Sequence, residues 1–192
     1  MREAPAPHAP LTTERLVLLP QTLESARALL AGEDAGLSLA DGYPHADTLD
    51  ALRMFVENGS TDDDGGWFVT LADGRVIGDC GTLGWTDQDG RVEIGYGLAA
   101  PYRGKGYGTE AVRVLADWVA AQPGVTAVTA EVEVGNNASR RLLERLGFTL
   151  VDPDDPDDPD DPDDTDDPDD TDDADDRGKA ADAHWHLARG AT

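Results

Sequence analysis

The sequence predicts a mixed α/β (α+β) domain, with a central, mostly antiparallel sheet and helices laid against it. Three observations predict it. Asp73-Gly74 and Asp89-Gly90 each stand between apolar runs. That is the signature of a tight hairpin, so three strands follow one another as a meander. Around that meander, stretches of apolar period 3.6 alternate with stretches of period 2. Third, Tyr102–Thr109 (YRGKGYGT) sets three alternating glycines between a strand-like and a helix-like run. Without Cβ atoms the backbone of such a turn can approach a ligand closely.

The elements follow in order. Residues 1–10, rich in Pro and Ala, read as a disordered tail. Arg15–Pro20 reads as the first strand. Thr22–Ala31 reads as a helix with Thr22 as its N-cap and Gly32 after its end. Residues 33–46 read as a loop. Asp47–Asn58 reads as a helix capped by Asp47 or Thr48, with Leu49, Leu52, Phe55 and Val56 as its apolar stripe. Residues 61–66 (TDDDGG) break the chain. Trp67–Leu71, Arg75–Trp85 and a strand from Arg91 form the meander.

Gly106–Ala121 reads as a helix burying Val112, Leu115, Trp118 and Val119. Val125–Val134 reads as a strand whose Thr126, Val128, Ala130, Val132 and Val134 face the core. Asn136–Leu146 reads as a helix with Ala138, Leu142, Leu143 and Leu146 inward, stopped by Gly147. Phe148–Val151 and Ala183–Ala188 close the chain as strands. The domain thus runs over 11–192, with 152–182 as an Asp/Pro-rich disordered insertion between the last two strands.

Residues 152–176 hold 17 aspartates, which account for most of the formal charge of −25. Clustered Lys and Arg are lacking, so no nucleic-acid partner is expected. The single cysteine, Cys80, permits no internal disulfide and reads as a buried strand residue. No apolar run suggests a signal peptide or a membrane span, and a cytoplasmic protein is expected.

The glycine turn opens a helix whose free N–H groups and dipole face back at it, an arrangement that suits phosphate. A P-loop is excluded, because Gly104-Lys105-Gly106 lacks the Ser or Thr after the lysine. The dinucleotide fingerprint is excluded by the spacing of Gly104, Gly106 and Gly108 and by the meander that precedes them.

Arg103-Gly104-Lys105-Gly106-Tyr107-Gly108 matches the Arg/Gln-x-x-Gly-x-Gly/Ala signature of the GCN5-related N-acetyltransferase (GNAT) superfamily. With Thr13-Glu14-Arg15-Leu16, Glu93-Ile94-Gly95-Tyr96, Asn136–Ser139 and Leu142–Phe148, the chain resembles the branch that includes the ribosomal-protein N-terminal acetyltransferases. The resemblance covers roughly residues 11–151 and the final strand. It implies the GNAT fold, in which the strand at Val92–Leu98 splays from that at Val125–Val134. Acetyl-CoA is the implied co-substrate, its pantetheine arm lying along the open edge near Leu98. Gly97 is the implied site of the bulge that opens the gap.

The implied coenzyme-binding residues are Leu98, Arg103, Gly104, Lys105, Gly106, Tyr107, Gly108, Thr109 and Asn136. Asn136 reads equally as a helix N-cap, and Arg103 and Lys105 either meet phosphates or are solvated. The implied catalytic groups are Glu93, as base, and the Leu98 backbone N–H, as donor to the thioester carbonyl. Glu93 reads first as a surface or salt-bridged strand residue, with the base as the alternative. Many relatives carry a tyrosine acid where this chain has Leu143; either Tyr96, Tyr102, Tyr107 or water is then the substitute, or the thiolate leaves unprotonated.

The expected reaction is direct acetyl transfer to a primary amine, on a protein N-terminus. Alternatives are a small-molecule amine (polyamine or antibiotic) and a non-catalytic acyl-CoA-binding module. No metal is expected: His184 and His186 share a strand face, but no rigid carboxylate is fixed near them. Trp67 and Trp85 read as core, with lining of the acceptor pocket as the alternative. The aspartate tract reads as a tolerated loop expansion, or as an attractor of cationic acceptors. A monomer or homodimer is expected.

Overall fold

The computed structural model describes residues 9–58, 66–84, 89–151 and 184–190. The expected tail up to residue 8, Trp85 and the Asp/Pro insertion lie outside the described residues. The strands are β1 (Leu11–Thr12), β2 (Leu16–Pro20), β3 (Ser38–Leu39), β4 (Trp67–Leu71), β5 (Arg75–Thr82), β6 (Arg91–Leu98), β7 (Ala127–Glu133), β8 (Thr149–Val151) and β9 (His184–Gly190). The helices are α1 (Leu23–Leu30), α2 (Ala46–Glu57), α3 (Tyr107–Ala120) and α4 (Asn137–Arg145), with a 3-10 turn at Ala100–Tyr102 before α3.

Each helix starts where a side chain or glycine ends the extended backbone. Thr22 and Ser25 form a reciprocal capping box on α1. On α2 the cap is His45, whose Nδ1 accepts from the Thr48 N–H at 3.2 Å. A cap by Asp47 or Thr48 is therefore corrected. Ser, Thr and Asp lead the statistics of this position, but a histidine nitrogen with a free lone pair satisfies the same orphan donor. Asn136 caps α4 by accepting from the Ser139 N–H at 3.1 Å.

The sheet runs β1-β2-β4-β5-β6-β7-β9-β8, with β3 parallel to β5 off this path. Every pair on the path is antiparallel except β6–β7. The expected fold class holds, including the meander β4–β5–β6 and the pairing of β8 with β9 across the insertion. The short strands β1 and β3 carry two residues each, too few to show a period in sequence.

The sheet separates two cores. On one face α3 buries Ala111, Val112, Leu115, Ala116 and Val119 against Leu16, Leu18, Val92, Ile94 and Val128. On the other, α1 and α2 pack on each other and bury Ala26, Leu29 and Leu52 against Phe68 and Val76. Trp67 is fully buried, edge-on to Trp118 at 4.9 Å, with its indole N–H donating to the Ala9 carbonyl at 3.1 Å. Cys80 is buried, and burial pushes its thiol pKa up.

Three inward assignments fail. Thr126 and Val134 lie one residue before and one residue past β7 and are exposed, Val134 to 45%, because the alternation holds only within the strand. Ala138 is exposed at the start of α4, since the first turn of that helix overhangs a cleft rather than the core.

Candidate active site

The central gap comes from pairing that stops early. β6 and β7 are in register only over Arg91↔Ala127, Val92↔Val128 and Glu93↔Thr129. β7 continues along β9 to Glu133↔His184, and β6 continues along β5 to Leu98↔Gly78. Beyond Glu93 the two central strands therefore part. The Ala99 N–H bonds to the Ile77 carbonyl and the Leu83 N–H to the Glu93 carbonyl, so odd-numbered residues of β6 face β5 in the ladder. By antiparallel alternation the polar backbone groups of Tyr96 and Leu98 then point into the gap. The expected bulge at Gly97 is corrected: the β5–β6 register is unbroken from Thr82↔Ile94 to Gly78↔Leu98. Gly97 serves a different need. A Cβ there would lie 2.5 Å from Nε2 of His45.

The glycine bend sits at the mouth of the gap. Gly104 (φ +73°) and Gly106 (φ +85°) occupy the left-handed region. Gly106 is the N-cap of α3 and supplies no side-chain cap, and the first helical bond is Glu110 N–H to the Gly106 carbonyl. The amides of Tyr107, Gly108 and Thr109 thus have no intrahelical acceptor. Gly108 packs closely on α4: a Cβ there would stand 3.1 Å from Leu142 Cδ1, which would have to give by a few tenths of an ångström.

Behind the bend, the Thr13-Glu14-Arg15-Leu16 stretch forms a clamp. Glu110, in the first turn of α3, accepts from the Thr13 hydroxyl, the Arg15 backbone N–H (2.8 Å) and the Arg15 guanidinium (2.7 Å). Arg15 also donates to the Lys105 carbonyl at 3.1 Å and lies 4.7 Å over the Tyr107 ring. Burial alone would raise the Glu110 pKa, but the bonds from Thr13 and Arg15 outweigh it and hold the carboxyl below its usual range. A depressed carboxyl stabilises the fold above its unfolded pKa, and that contribution is lost as pH falls through the folded value. Between pH 5 and 8 the clamp should therefore stay intact. Glu110→Gln should raise KM for a ligand of the bend about three- to ten-fold with kcat little changed, as steady-state kinetics would show.

Two clefts meet at the gap. One, about 710 Å³, is lined by Leu98, Arg103, Gly104, Gly106, Gly108, Thr109 and Asn136, with Arg141 and Arg145 on α4. The other, about 540 Å³, lies between α2 and the β5–β6 face; it holds Asp79, Thr48, Met54, Phe55 and Leu83. His45, Asp47, Tyr96 and Gly97 border both. Their charges differ. The first has three arginines and one carboxylate, Asp47, whereas the second has Asp47 and Asp79 and neither lysine nor arginine among its lining residues.

The structure brings together most of the expected site residues and leaves three aside. Lys105 sits 5.3 Å over the Tyr102 ring, and Tyr107 lies under Arg15; neither borders a cleft. Glu93 borders neither cleft and stands at the last paired position of β6, about 13 Å along the strand from Gly97. Arg103 borders the first cleft, and its Nε donates to the Leu98 carbonyl at 2.8 Å. Asn136 spends its carbonyl oxygen on the cap, which leaves its NH2 as a donor at the cleft.

Leu143 is fully buried, so the position that carries tyrosine in many relatives is core here. Of the three substitute tyrosines only Tyr96 borders the clefts. Its hydroxyl reaches toward the Ser139 carbonyl at 3.5 Å, and burial pushes its pKa up. Sequence reasoning missed His45, Thr48 and Asp79. Neither the spacing of a loop and α2 nor the alternation of β5 shows that the three converge.

A splayed sheet with a cation-rich bend on one side of the gap and a carboxylate on the other defines a group-transfer domain. The family described as "Acetyltransferase (GNAT) domain" matches residues 15–149, and the chain belongs to it. It is 32% identical over 123 residues to the Uncharacterized N-acetyltransferase YjdG of Bacillus subtilis (strain 168), covering 62% of this chain and 73% of the relative. Among solved structures, a putative GnaT-family acetyltransferase from Bordetella pertussis superposes with a TM-score of 0.60 at 24% identity, over 95% of this chain and 99% of that one. RimL, a ribosomal L7/L12 alpha-N-protein acetyltransferase solved in complex with coenzyme A, superposes with a TM-score of 0.54 at 17% identity, over 75% of this chain and 86% of that one.

Proposed function

We propose that the protein is an acetyl-CoA-dependent N-acetyltransferase that moves an acetyl group directly onto a primary amine. One observation carries this reading: two clefts of opposite charge meet where β6 and β7 part. The donor set of the first fits a diphosphate ester. Amides of Tyr107–Thr109 at the start of α3 and the bend at Gly104 and Gly106 take the diphosphate. Arg141 and Arg145 bring further positive charge to the rim. The open edge at Leu98 offers the pantetheine arm the hydrogen bonds of an added strand, and the Leu98 N–H faces the acyl oxygen. The bound coenzyme supplies an activated acetyl thioester. Tyr96, kept protonated by burial, stands as donor to the departing sulfur in place of Leu143.

The acceptor in this reading is a protein N-terminal amine. Support comes from the resemblance of the Glu93–Tyr96 and Leu142–Phe148 stretches to the ribosomal N-terminal branch and from the likeness to RimL. A compact amine fits the second cleft as well.

Incubation with acetyl-CoA and a panel of peptides with free N-termini and small amines should release thiol in step with acetylated product. Binding of acetyl-CoA with no thiol release across the panel would leave a non-catalytic acyl-CoA module, and absence of binding would end the reading altogether. Arg141→Ala with Arg145→Ala should raise KM for acetyl-CoA roughly ten-fold, and the effect should shrink as salt rises.

A further inference from the structure

We infer that Asp79 is the carboxylate that receives the acceptor's ammonium and removes its proton, in a pocket built for a primary amine carried on a compact apolar body. The inference rests on the acetyltransferase reading above and names the acceptor half of that same site.

Asp79 pairs with Gly97 across β5–β6, so both residues face the α2 side of the sheet, about 5.5 Å apart at Cα. Its neighbours on that face are Gly81 and Gly95, themselves paired. Three glycines thus leave a floor without side chains, from which a single carboxyl group rises into the second cleft. Its Oδ2 accepts from the Thr48 hydroxyl at 2.5 Å. Thr48 is itself held at the start of α2, buried to 1% exposure, with its N–H donated to His45. One oxygen of Asp79 is therefore fixed by a buried donor. The residue as a whole stays half-buried and borders the cleft, so a ligand can reach it.

The roof supports the same assignment. Met54 and Leu83, 54% and 51% exposed, stand with Phe55 as an apolar wall around the carboxylate. Large exposed apolar side chains lining a cleft mark a surface that something covers. An ammonium next to an alkyl or aryl group satisfies both the wall and the charge. A polyhydroxylated amine meets the charge but not the wall, and an anionic amine meets neither in full.

Position relative to the gap completes the case. Asp79 lies one strand from the open edge of β6, whereas Glu93 lies where the edge is closed. Burial raises the pKa of Asp79; the Thr48 hydrogen bond, His45 and Tyr43 pull the other way. The groups that face it are His45 and Asp47 from the start of α2, Tyr43 from the loop before it, and Cys80 beside it. The Tyr43 hydroxyl, buried and without a hydrogen bond of normal length, is held protonated by burial and by the Asp79 charge. A carboxylate with a raised pKa is a better proton acceptor than an ordinary one.

The step balances as follows. Asp79 takes one proton from R–NH3+, leaving R–NH2 and a neutral carboxyl. The nitrogen lone pair forms the C–N bond to the thioester carbon, and the C–S bond breaks. Tyr96 gives its proton to the departing sulfur as thiol and regains one from the nitrogen, which loses its second proton, and Asp79 returns its proton to water.

The test compares wild type, Asp79→Asn and Thr48→Val with acetyl-CoA and three acceptors: phenethylamine, alanyl-phenylalanine amide and glucosamine. In Asp79→Asn, kcat/KM for the first two should fall at least 100-fold at pH 7. The loss should shrink below ten-fold at pH 9.5, where a far larger share of the amine arrives neutral. Its Kd for acetyl-CoA should stay within two-fold, and its Tm should rise, because a desolvated charge has gone. Thr48→Val should move the acid limb of kcat/KM to higher pH, since a donor that lowers the Asp79 pKa is lost.

Loss on both amines marks a pocket that reads ammonium whatever carries it; loss on one alone assigns the source. Wild type should prefer phenethylamine to glucosamine by at least ten-fold, and the reverse preference overturns the apolar-body assignment. If wild type acetylates amines while Asp79→Asn stays within three-fold at pH 7, or loses equally at both pH values, this inference falls and the acetyltransferase reading stands. If wild type neither binds acetyl-CoA nor acetylates any amine, that reading falls and takes the inference with it.

Discussion

Gly106→Val is expected to raise KM for acetyl-CoA about 30- to 100-fold while leaving the protein folded. Position 106 has φ +85°, where a β-branched residue is strained by roughly 1–3 kcal/mol. The new Cβ would also stand 3.2 Å from Nη2 of Arg15, the cation that ties the bend to β2. The bend has two ways to relieve this. It can flip to negative φ, which turns the amides of Tyr107–Thr109 away from the ligand, or it can expel Arg15 and lose the clamp on Glu110. Both outcomes fall on coenzyme binding and not on the amine pocket. The factor corresponds to about 2–3 kcal/mol. Calorimetric titration with coenzyme A checks it, with a Tm scan to show that unfolding is not the cause. A variant that binds the coenzyme as tightly as wild type would place the diphosphate elsewhere.

Gly104 and Gly106 were legible in the sequence because they are local: positive φ before a helix leaves its mark at the residue itself. The same holds for the Asp73-Gly74 hairpin, where Gly74 has φ +85°, and for Thr22 as the N-cap of α1. The splay of β6 from β7 entered through resemblance, since nothing in VEIGYGL states that pairing ends after Glu93. Gly97 shows the limit most clearly. Its glycine was visible, but its reason, the ring of His45 arriving from the far side of the sheet, depends on the loop before α2. Glu93 is the base that the resemblance implies, on the splayed strand beside the thioester, yet the register puts it at the closed end of the gap. Asp79 looked like one more strand residue until Thr48 and three glycines were brought around it. Chemistry that depends on residues distant in sequence is written in the packing, not in any window of the chain.

Leu143 carries a related lesson. The position aligned with tyrosine in many relatives, so restoring Leu143→Tyr looks like a route to a better acid. The side chain is fully enclosed, and a larger polar residue there must overpack the core that α4 shares with α3 and the sheet. On the reading proposed above, the donor role is assigned to Tyr96, which borders both clefts from the strand that opens.

Gly97→Ala is expected to lower kcat about 100-fold while the Kd for acetyl-CoA changes by less than about two-fold. A Cβ at 97 would come within 2.5 Å of His45 Nε2, so the ring must move. Nδ1 of that ring accepts the Thr48 N–H, which leaves Nε2, the atom that faces Gly97 at the junction of the two clefts, to carry the ring hydrogen. Moving the ring therefore removes a donor from the junction, loosens the cap of α2 and shifts Thr48, whose hydroxyl orients Asp79. Displacement of a catalytic group by about 1 Å is enough for a loss of this size. The His45→Ala variant separates this route from a direct effect on the strand. If Gly97 acts through the ring, the Gly97→Ala, His45→Ala double variant should be no slower than His45→Ala alone, because the space that the ring vacates accepts the methyl group. Losses that instead multiply across the pair would mean that the methyl group harms the open edge of β6 itself, and that His45 is only a wall.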